Sequence, residues 1–178
     1  MKLILQRLTD FFKNNKPYYL IYAAMFILLL CLDRQFKTLV TDNLALGEAW
    51  PSADNFARIL YTQNTGVSFG LFAGHPEILI VLQTILFAAV IVAIVITYKK
   101  LRHPLLQTAL CWIACGGLGN LIDRFIHSYV IDYIAVGTFP IWNFADMCIV
   151  GGCILLGIFF IFIYESGGEK KDRTQNDE

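Results

Sequence analysis

Charge is scarce in this chain. Asp, Glu, Lys and Arg together make up 16% of its 178 residues, against about a quarter in an ordinary soluble domain. The formal net charge is zero, and no nucleic-acid partner is expected. The three histidines, His75, His103 and His127, are scattered, with no Cys or carboxylate at the spacing of a zinc site. Five cysteines (Cys31, Cys111, Cys115, Cys148, Cys153) form no C-x-x-C pair and all fall within apolar runs. They are read as small buried apolar residues rather than metal or redox groups. Ser52, Ser68, Ser128 and Ser166 have no His or Lys at a spacing that would make a nucleophile of any of them. Internal repeats and a separate soluble domain are also lacking.

What is abundant is apolar residues, 57% of the chain, with a mean hydropathy of +0.58. They are clumped into runs rather than spaced at helical or strand periods, which indicates a polytopic all-α membrane protein. A hydrocarbon core of ~30 Å takes ~20 helical residues to cross. Four segments are long enough: about 18–38, 77–98, 104–124 and 142–164, the third entered through Pro104, a favourable helix start. Residues 1–165 are therefore expected to form a single membrane domain, and the polar tail 166–178 to be disordered.

Basic residues orient these spans. Lys2, Arg7, Lys13 and Lys16 precede the first, Lys99, Lys100 and Arg102 lie between the second and third, and Lys170, Lys171 and Arg173 follow the fourth. Ten of the fourteen Lys and Arg thus fall on one side, which predicts cytoplasmic N and C termini. The first apolar run is followed by "DRQFK" and not by a small-residue cleavage site, so it reads as a retained anchor. Two segments face outside, about 39–76 and about 125–141. The first is rich in aromatic and β-branched residues, with turn signals at Asn64 and Gly66, and a small sheet or hairpin lying on the membrane is expected there.

With sides assigned, the polar residues cluster. Asp33, Asp123, Asp132 and Asp146 all lie at outer span ends or in the loop joining the third and fourth spans, as do Lys37, Asn64, Asn120, Arg124 and Asn143. A carboxylate in so apolar a setting is costly to desolvate and needs a partner or a task. Asp33 and Lys37 are spaced i, i+4, which permits an ion pair closing the first span. Gly116, Gly117 and Gly119 allow close helix approach, or equally the approach of a substrate backbone. Asn120 and Arg124 share a helical face, suited to hold a peptide carbonyl or an aspartate, and Asp123 lies on another. Asp123 is accordingly read as a structural partner. Asp146 has two readings: it sits at the third helical position after Asn143, a good N-cap, or it meets Asp132 across an apolar connector.

Two carboxylates brought close in a low dielectric cannot both ionise comfortably. One keeps a proton while the other accepts one from water, an acid/base pair able to hydrolyse an amide. The helix dipole favours Asp146 as the more acidic member, with Asp132 carrying the shared proton. A small proton-coupled transporter would also place aspartates in spans, but would distribute polar groups through the membrane depth. A phosphatidyl transferase would need a cytoplasmic cluster of acids for Mg²⁺, and a structural subunit would leave the buried acids unexplained.

The stretches "LDRQFK", "QNTGVSFG", "GGLGNLIDR", "VIDYI" and "WNFAD", in this order and placement, resemble the lipoprotein signal peptidase (signal peptidase II) family from about residue 20 to 160. The resemblance implies a four-helix aspartic endopeptidase of the bacterial cytoplasmic membrane, acting at its extracytoplasmic side without metal or cofactor. Such an enzyme removes the signal peptide of a prolipoprotein just before a cysteine carrying diacylglycerol, among membrane lipids, and is expected to be a monomer. By matching motifs, the catalytic pair falls on Asp132 and Asp146. Asp33, Lys37, Asn64, Gly66, Gly116, Asn120, Arg124, Asn143 and Ala145 would hold the substrate backbone and orient the pair. The chain departs from the family pattern at Arg34, where Gln is usual, at Trp142, where Phe is usual and a narrower pocket is implied, and in a short connector between the aspartates. A membrane-embedded substrate must enter laterally, with the segment 39–76 above it and Trp50, Phe69 and Phe72 at headgroup level.

Overall fold

The computed structural model describes residues 2–52, 55–66, 76–101 and 103–164, with side chains described from Tyr18 onward except at Pro76 and Lys99. Phe69, Phe72 and the tail 166–178 lie outside the described residues. The elements follow in the order α1 (Lys2–Asn43), β1 (Ala49–Trp50), β2 (Ala57–Asn64), α2 (Pro76–Lys100), α3 (Pro104–His127), β3 (Val130–Val136) and α4 (Phe144–Ile158). A π-helical turn over Phe159–Tyr164 extends α4.

The four long apolar stretches Tyr18–Asn43, Glu77–Tyr98, Pro104–His127 and Phe144–Tyr164 are each helical and long enough to cross a membrane. The first and third outrun the predicted boundaries, because the charges that end their apolar runs have partners on each other's helix. α3 is the hub. It packs against α1, α2 and α4, and 61% of its apolar window is buried, compared with 6% in the windows of α1 and α2. A helix enclosed this way can carry Asn, Asp and Arg, whose hydrogen bonds are met by protein rather than opposed by lipid. The cysteines divide: Cys111, Cys115 and Cys148 are buried, whereas Cys31 and Cys153 are exposed, contrary to the expectation that all five are interior. The Cys111 and Cys115 thiols donate to the Tyr22 and Phe26 carbonyls of α1, each over 3.6 Å, so successive turns of α3 are stitched to α1.

The three strands form one antiparallel sheet in the order β1-β2-β3. The first two fall in the segment predicted to hold a sheet. The third corrects the expectation of a plain apolar connector in the outer segment 125–141: residues 130–136 are a strand. Its side chains are buried almost without alternation, so the period-two pattern that marks a half-exposed strand is missing. The turn into β3 is tight: Ser128 caps α3 in the left-handed region at φ 64°, donating its backbone N–H to the Arg124 carbonyl. Asp123 and Asp132 are consequently not on one continuous helix. Val40 of α1, Tyr61 of β2, and Ile131 and Tyr133 of β3 form a buried cluster that fastens the sheet to the end of α1.

Candidate active site

Asp132 sits on β3 opposite Thr62 of β2, with its side chain turned inward and only 3% of the residue exposed. Its Oδ2 accepts from Asn64 Nδ2 at 2.8 Å, and its Oδ1 from Asn143 Nδ2 at 2.7 Å. Asn64 is held in turn, its Oδ1 accepting the Gly66 N–H at 3.0 Å. The turn after β2 therefore aims an amide at this carboxyl.

Asp146 comes from the first turn of α4, where it completes the cap that the spacing from Asn143 indicates. Asn143 is the N-cap and the capping box is complete: the Asp146 N–H donates to Asn143 Oδ1 at 3.0 Å, and the Asn143 N–H to Asp146 Oδ2 at 3.1 Å. The other carboxylate oxygen, Oδ1, is free for a different task and accepts from Asn120 Nδ2 at 2.7 Å. Asn143, wholly buried, thus touches both aspartates, one through its side-chain amide and one through its cap. Its amide also donates to Asn120 Oδ1 at 3.1 Å, which joins the two carboxyls and two asparagines in one hydrogen-bonded net.

Behind this net lies an ionic cluster at the ends of α1 and α3. Lys37 Nζ reaches Asp123 Oδ2 at 2.7 Å, Asp33 Oδ2 at 3.2 Å and Asn120 Oδ1 at 3.1 Å. Those three acceptors match the three donors of an ammonium. Asp33, Lys37 and Asp123 are almost fully buried, so each depends on the others for its charge. Asp123 also accepts the Ile131 N–H of β3 at 3.2 Å. It faces this cluster rather than the net, on a different face from Asn120 and Arg124 as the helical spacing indicated.

Arg124 stands on the opposite flank. Its guanidinium donates to the Gly66 carbonyl at 2.7 Å and to Gln83 Oε1 of α2 at 3.1 Å. Gly116 and Ala145 bring α3 and α4 together: a Cβ at position 116 would overlap the Ala145 carbonyl oxygen and lie 2.8 Å from Ile149 Cγ1. At Gly116 the close approach is therefore between helices.

A cleft of about 500 Å³ opens onto the net, with Asn64, Asn120, Arg124, Asp132 and Asp146 on its polar side. Phe139, Trp142, Ile149 and Val150 form its apolar wall. Val150 is 52% exposed, so the cleft reaches the outward surface of α4. Trp142 is on the wall, held by a backbone bridge to Ile134 that folds the short connector back onto β3. Two residues of the site were not assigned from sequence. Gln83 is an isolated amide within the apolar run "LIVLQTILF". Arg34 pairs with both Asp33 and Asp123.

Burial pushes the Asp132 carboxyl up from its ordinary value of 3.8 to about 7, with the nearby Asp146 charge adding to the effect and Asn64, Asn143 and Lys37 opposing it. Between those two values the folded protein retains a proton that the unfolded chain has released. Stability contributed at this residue is thus highest below about pH 4 and falls as pH rises toward 7. The wild type is expected to lose on the order of 2–4 kcal/mol on this account between pH 4 and 8. The slope of Tm against pH should flatten in Asp132→Asn; equal slopes in the two proteins would contradict this account of the burial cost.

A family model described as signal peptidase (SPase) II matches residues 25–162 of the chain. A lipoprotein signal peptidase of Fusobacterium nucleatum is 36% identical over 146 residues, covering 80% of this chain and 87% of that protein. One of Dehalococcoides mccartyi is 37% identical over 147 residues, covering 80% and 89%. Among solved structures, one described as a bacterial membrane enzyme superposes with a TM-score of 0.71 at 23% identity, over 85% of this chain and 92% of that one. The fold of four membrane-length helices and a small sheet is shared with that enzyme.

Proposed function

The chain belongs to the signal peptidase II family, and on that premise we propose that it removes signal peptides from prolipoproteins, with Asp132 and Asp146 as an aspartic acid/base pair. The observation that carries the catalytic reading is that Asn143 hydrogen-bonds both carboxyl groups, which arrive on separate elements, at the wall of one cleft. A cap alone accounts for one oxygen of Asp146 and for nothing at Asp132.

In the reaction proposed, a water oxygen attacks the scissile carbonyl carbon while Asp146 takes a proton from that water. The proton on Asp132 passes to the carbonyl oxygen, leaving a neutral gem-diol. Collapse returns a diol proton to a carboxylate, the amide nitrogen is protonated, and the C–N bond breaks to a carboxylic acid and a new amine. The two carboxyls titrate as a coupled pair, with Asp132 the proton carrier in the resting state. Asn64, Asn120 and Asn143 hold the pair, while Arg124 and Gly66, which line the same cleft, meet the substrate backbone. Asp33, Lys37, Gly116 and Ala145 support them from behind.

The bond cut is the one just before a cysteine carrying diacylglycerol. A substrate already in the bilayer enters sideways past Val150, its acyl chains remaining in hydrocarbon while the scissile bond reaches the polar wall. The chain lies in the bacterial cytoplasmic membrane as a monomeric unit over residues 1–165, with cytoplasmic termini and the site at the extracytoplasmic end. The distribution of Lys and Arg supports that orientation. Trp50, 66% exposed on the edge strand β1, suits the headgroup level. A proton-coupled transporter finds no support in the relatives.

The test uses purified protein in detergent, a diacylglyceryl-modified precursor and its unmodified twin, each with and without chelator. Cleavage of the modified precursor alone, giving a peptide that ends one residue before the cysteine by mass, is the expected result. Loss of cleavage on adding chelator, restored by a divalent cation, would overturn the aspartic reading. Equal cleavage of the unmodified twin would overturn the substrate assignment.

A further inference from the structure

Arg34 is the member of the ionic cluster without a role in the site described above. Its guanidinium binds Asp33 through Nε and Nη2, Asp123 Oδ1 at 2.6 Å through Nη1, and the Gly119 carbonyl at 2.8 Å. With Arg34 in place, Lys37 is not required to neutralise two buried carboxylates by itself. It can spend one of its three donors on Asn120 Oδ1, the group whose amide holds Asp146.

We propose that Arg34 is a positioning residue for the Asp132/Asp146 pair: it keeps Lys37 on Asn120 and sets the charge balance under which that pair holds one proton. This rests on the function proposed above. Four carboxyls, Asp33, Asp123, Asp132 and Asp146, face three cations, Arg34, Lys37 and Arg124. One proton on the pair makes the assembly neutral. Among the described residues, the other titratable groups turned toward it are the Cys115 thiol on α3, the Cys148 thiol on α4, the Tyr133 phenol on β3 and the Tyr129 phenol just before that strand, all uncharged near neutral pH. β2 presents Asn64, and α2 presents Gln83 to Arg124, both without charge.

Removing the guanidinium leaves one positive charge between two buried carboxylates. Asp123 Oδ1 then loses its Arg34 hydrogen bond, and Lys37 is drawn from Asn120 toward the uncompensated negative charge. A net negative charge beside the pair also favours its protonated form. Arg34→Gln removes the charge, whereas Arg34→Lys retains it without the planar fork.

The experiment titrates ¹³C-carboxyl-labelled aspartate by NMR in wild type, Arg34→Gln and Arg34→Lys, the Asp132 signal being assigned by its loss in Asp132→Asn. Cleavage is followed in parallel against pH. In Arg34→Gln the Asp132 midpoint is expected to rise by roughly half to one pH unit. kcat should fall about tenfold with KM within about twofold, and the pH-rate profile should move to higher pH. Arg34→Lys should restore the titration and most of kcat. A titration in Arg34→Gln that coincides with wild type, whatever happens to Tm, overturns the proposal, as does an Arg34→Lys midpoint displaced as far as that of Arg34→Gln. If Arg34→Gln does not fold, Arg34→Lys decides alone: a wild-type titration supports the proposal and a displaced one overturns it. The NMR readout needs no turnover, so failure of the wild type to cleave would strike the proposed function and leave the Arg34 titration standing.

Discussion

Asp146→Asn and Asp132→Asn are each expected to lower kcat by about 10³–10⁴ while leaving the protein folded. The chemical loss is large because each carboxyl both receives and delivers a proton in the proposed cycle, and an amide does neither at working pH. The structural loss is small, and it can be traced bond by bond. Asn at 146 retains one acceptor oxygen for the two donors that now reach Asp146, Asn120 Nδ2 and the Asn143 N–H. One hydrogen bond is therefore forfeited, worth about 1 kcal/mol. Asn at 132 meets the same shortage between Asn64 and Asn143, offset above about pH 7 by removal of a charge that is costly to bury. The double variant should be hardly worse than either single one, because the groups act as a unit. Cleavage rates and Tm measured on the same preparations check this. A single variant that cleaves at the wild-type rate would make its residue a cap or a structural acceptor.

Gly116→Ala is the second change with a large expected effect, and its cause lies in backbone rather than chemistry. The added methyl overlaps the Ala145 carbonyl oxygen and lies 3.1 Å from its carbonyl carbon, and neither atom can swing aside as the end of a side chain could. α3 and α4 must separate at the turn that carries Asn143, Ala145 and Asp146. Overpacking of this kind costs roughly 1–3 kcal/mol, and displacing a catalytic group by about an ångström can cost on the order of 10² in rate. Gly117→Ala is the matched control, since a Cβ there meets nothing within 4 Å. It should be neutral or slightly stabilising, because Ala is the better helix former. If Gly116→Ala behaved like Gly117→Ala in Tm and in cleavage, the close approach of α3 and α4 would have no part in forming the site.

Much of this was legible in the sequence because it is local or periodic. Long apolar runs mark the spans. Asn143 followed three residues later by Asp146 announces a capped helix, and the spacing of Asn120 and Arg124 puts them on one face. What could not be read was which distant residues those faces meet. β3 escaped because "VIDYIAV" is buried on both sides and so shows no alternation. Its pairing with β2, which sets Asp132 opposite Thr62, joins residues that α2 and α3 separate in the chain. The i, i+4 rule linked Asp33 to Lys37. It could not reveal that Asp123, from another helix, supplies Lys37 with its shorter contact. Arg34 stayed unassigned for the same reason: it follows Asp33 directly in the chain, yet its other two partners are on α3. Gln83 had only its isolation in an apolar run as a signal, which does not name Arg124 as its partner.

The central claim is that Asp132 and Asp146 share one site and one proton, and titrating Asp132 in wild type and in Asp146→Asn tests it most directly. The carboxyl signal should show a midpoint near 7 in the wild type. In Asp146→Asn it should fall, since the neighbouring negative charge is gone, while burial still holds it above the ordinary carboxylate range. The acid limb of kcat/KM in the wild type should follow the same protonation. A wild-type midpoint already near 4, unmoved by Asp146→Asn, would mean that the two carboxyls do not sense each other, and the acid/base pair would have to be abandoned.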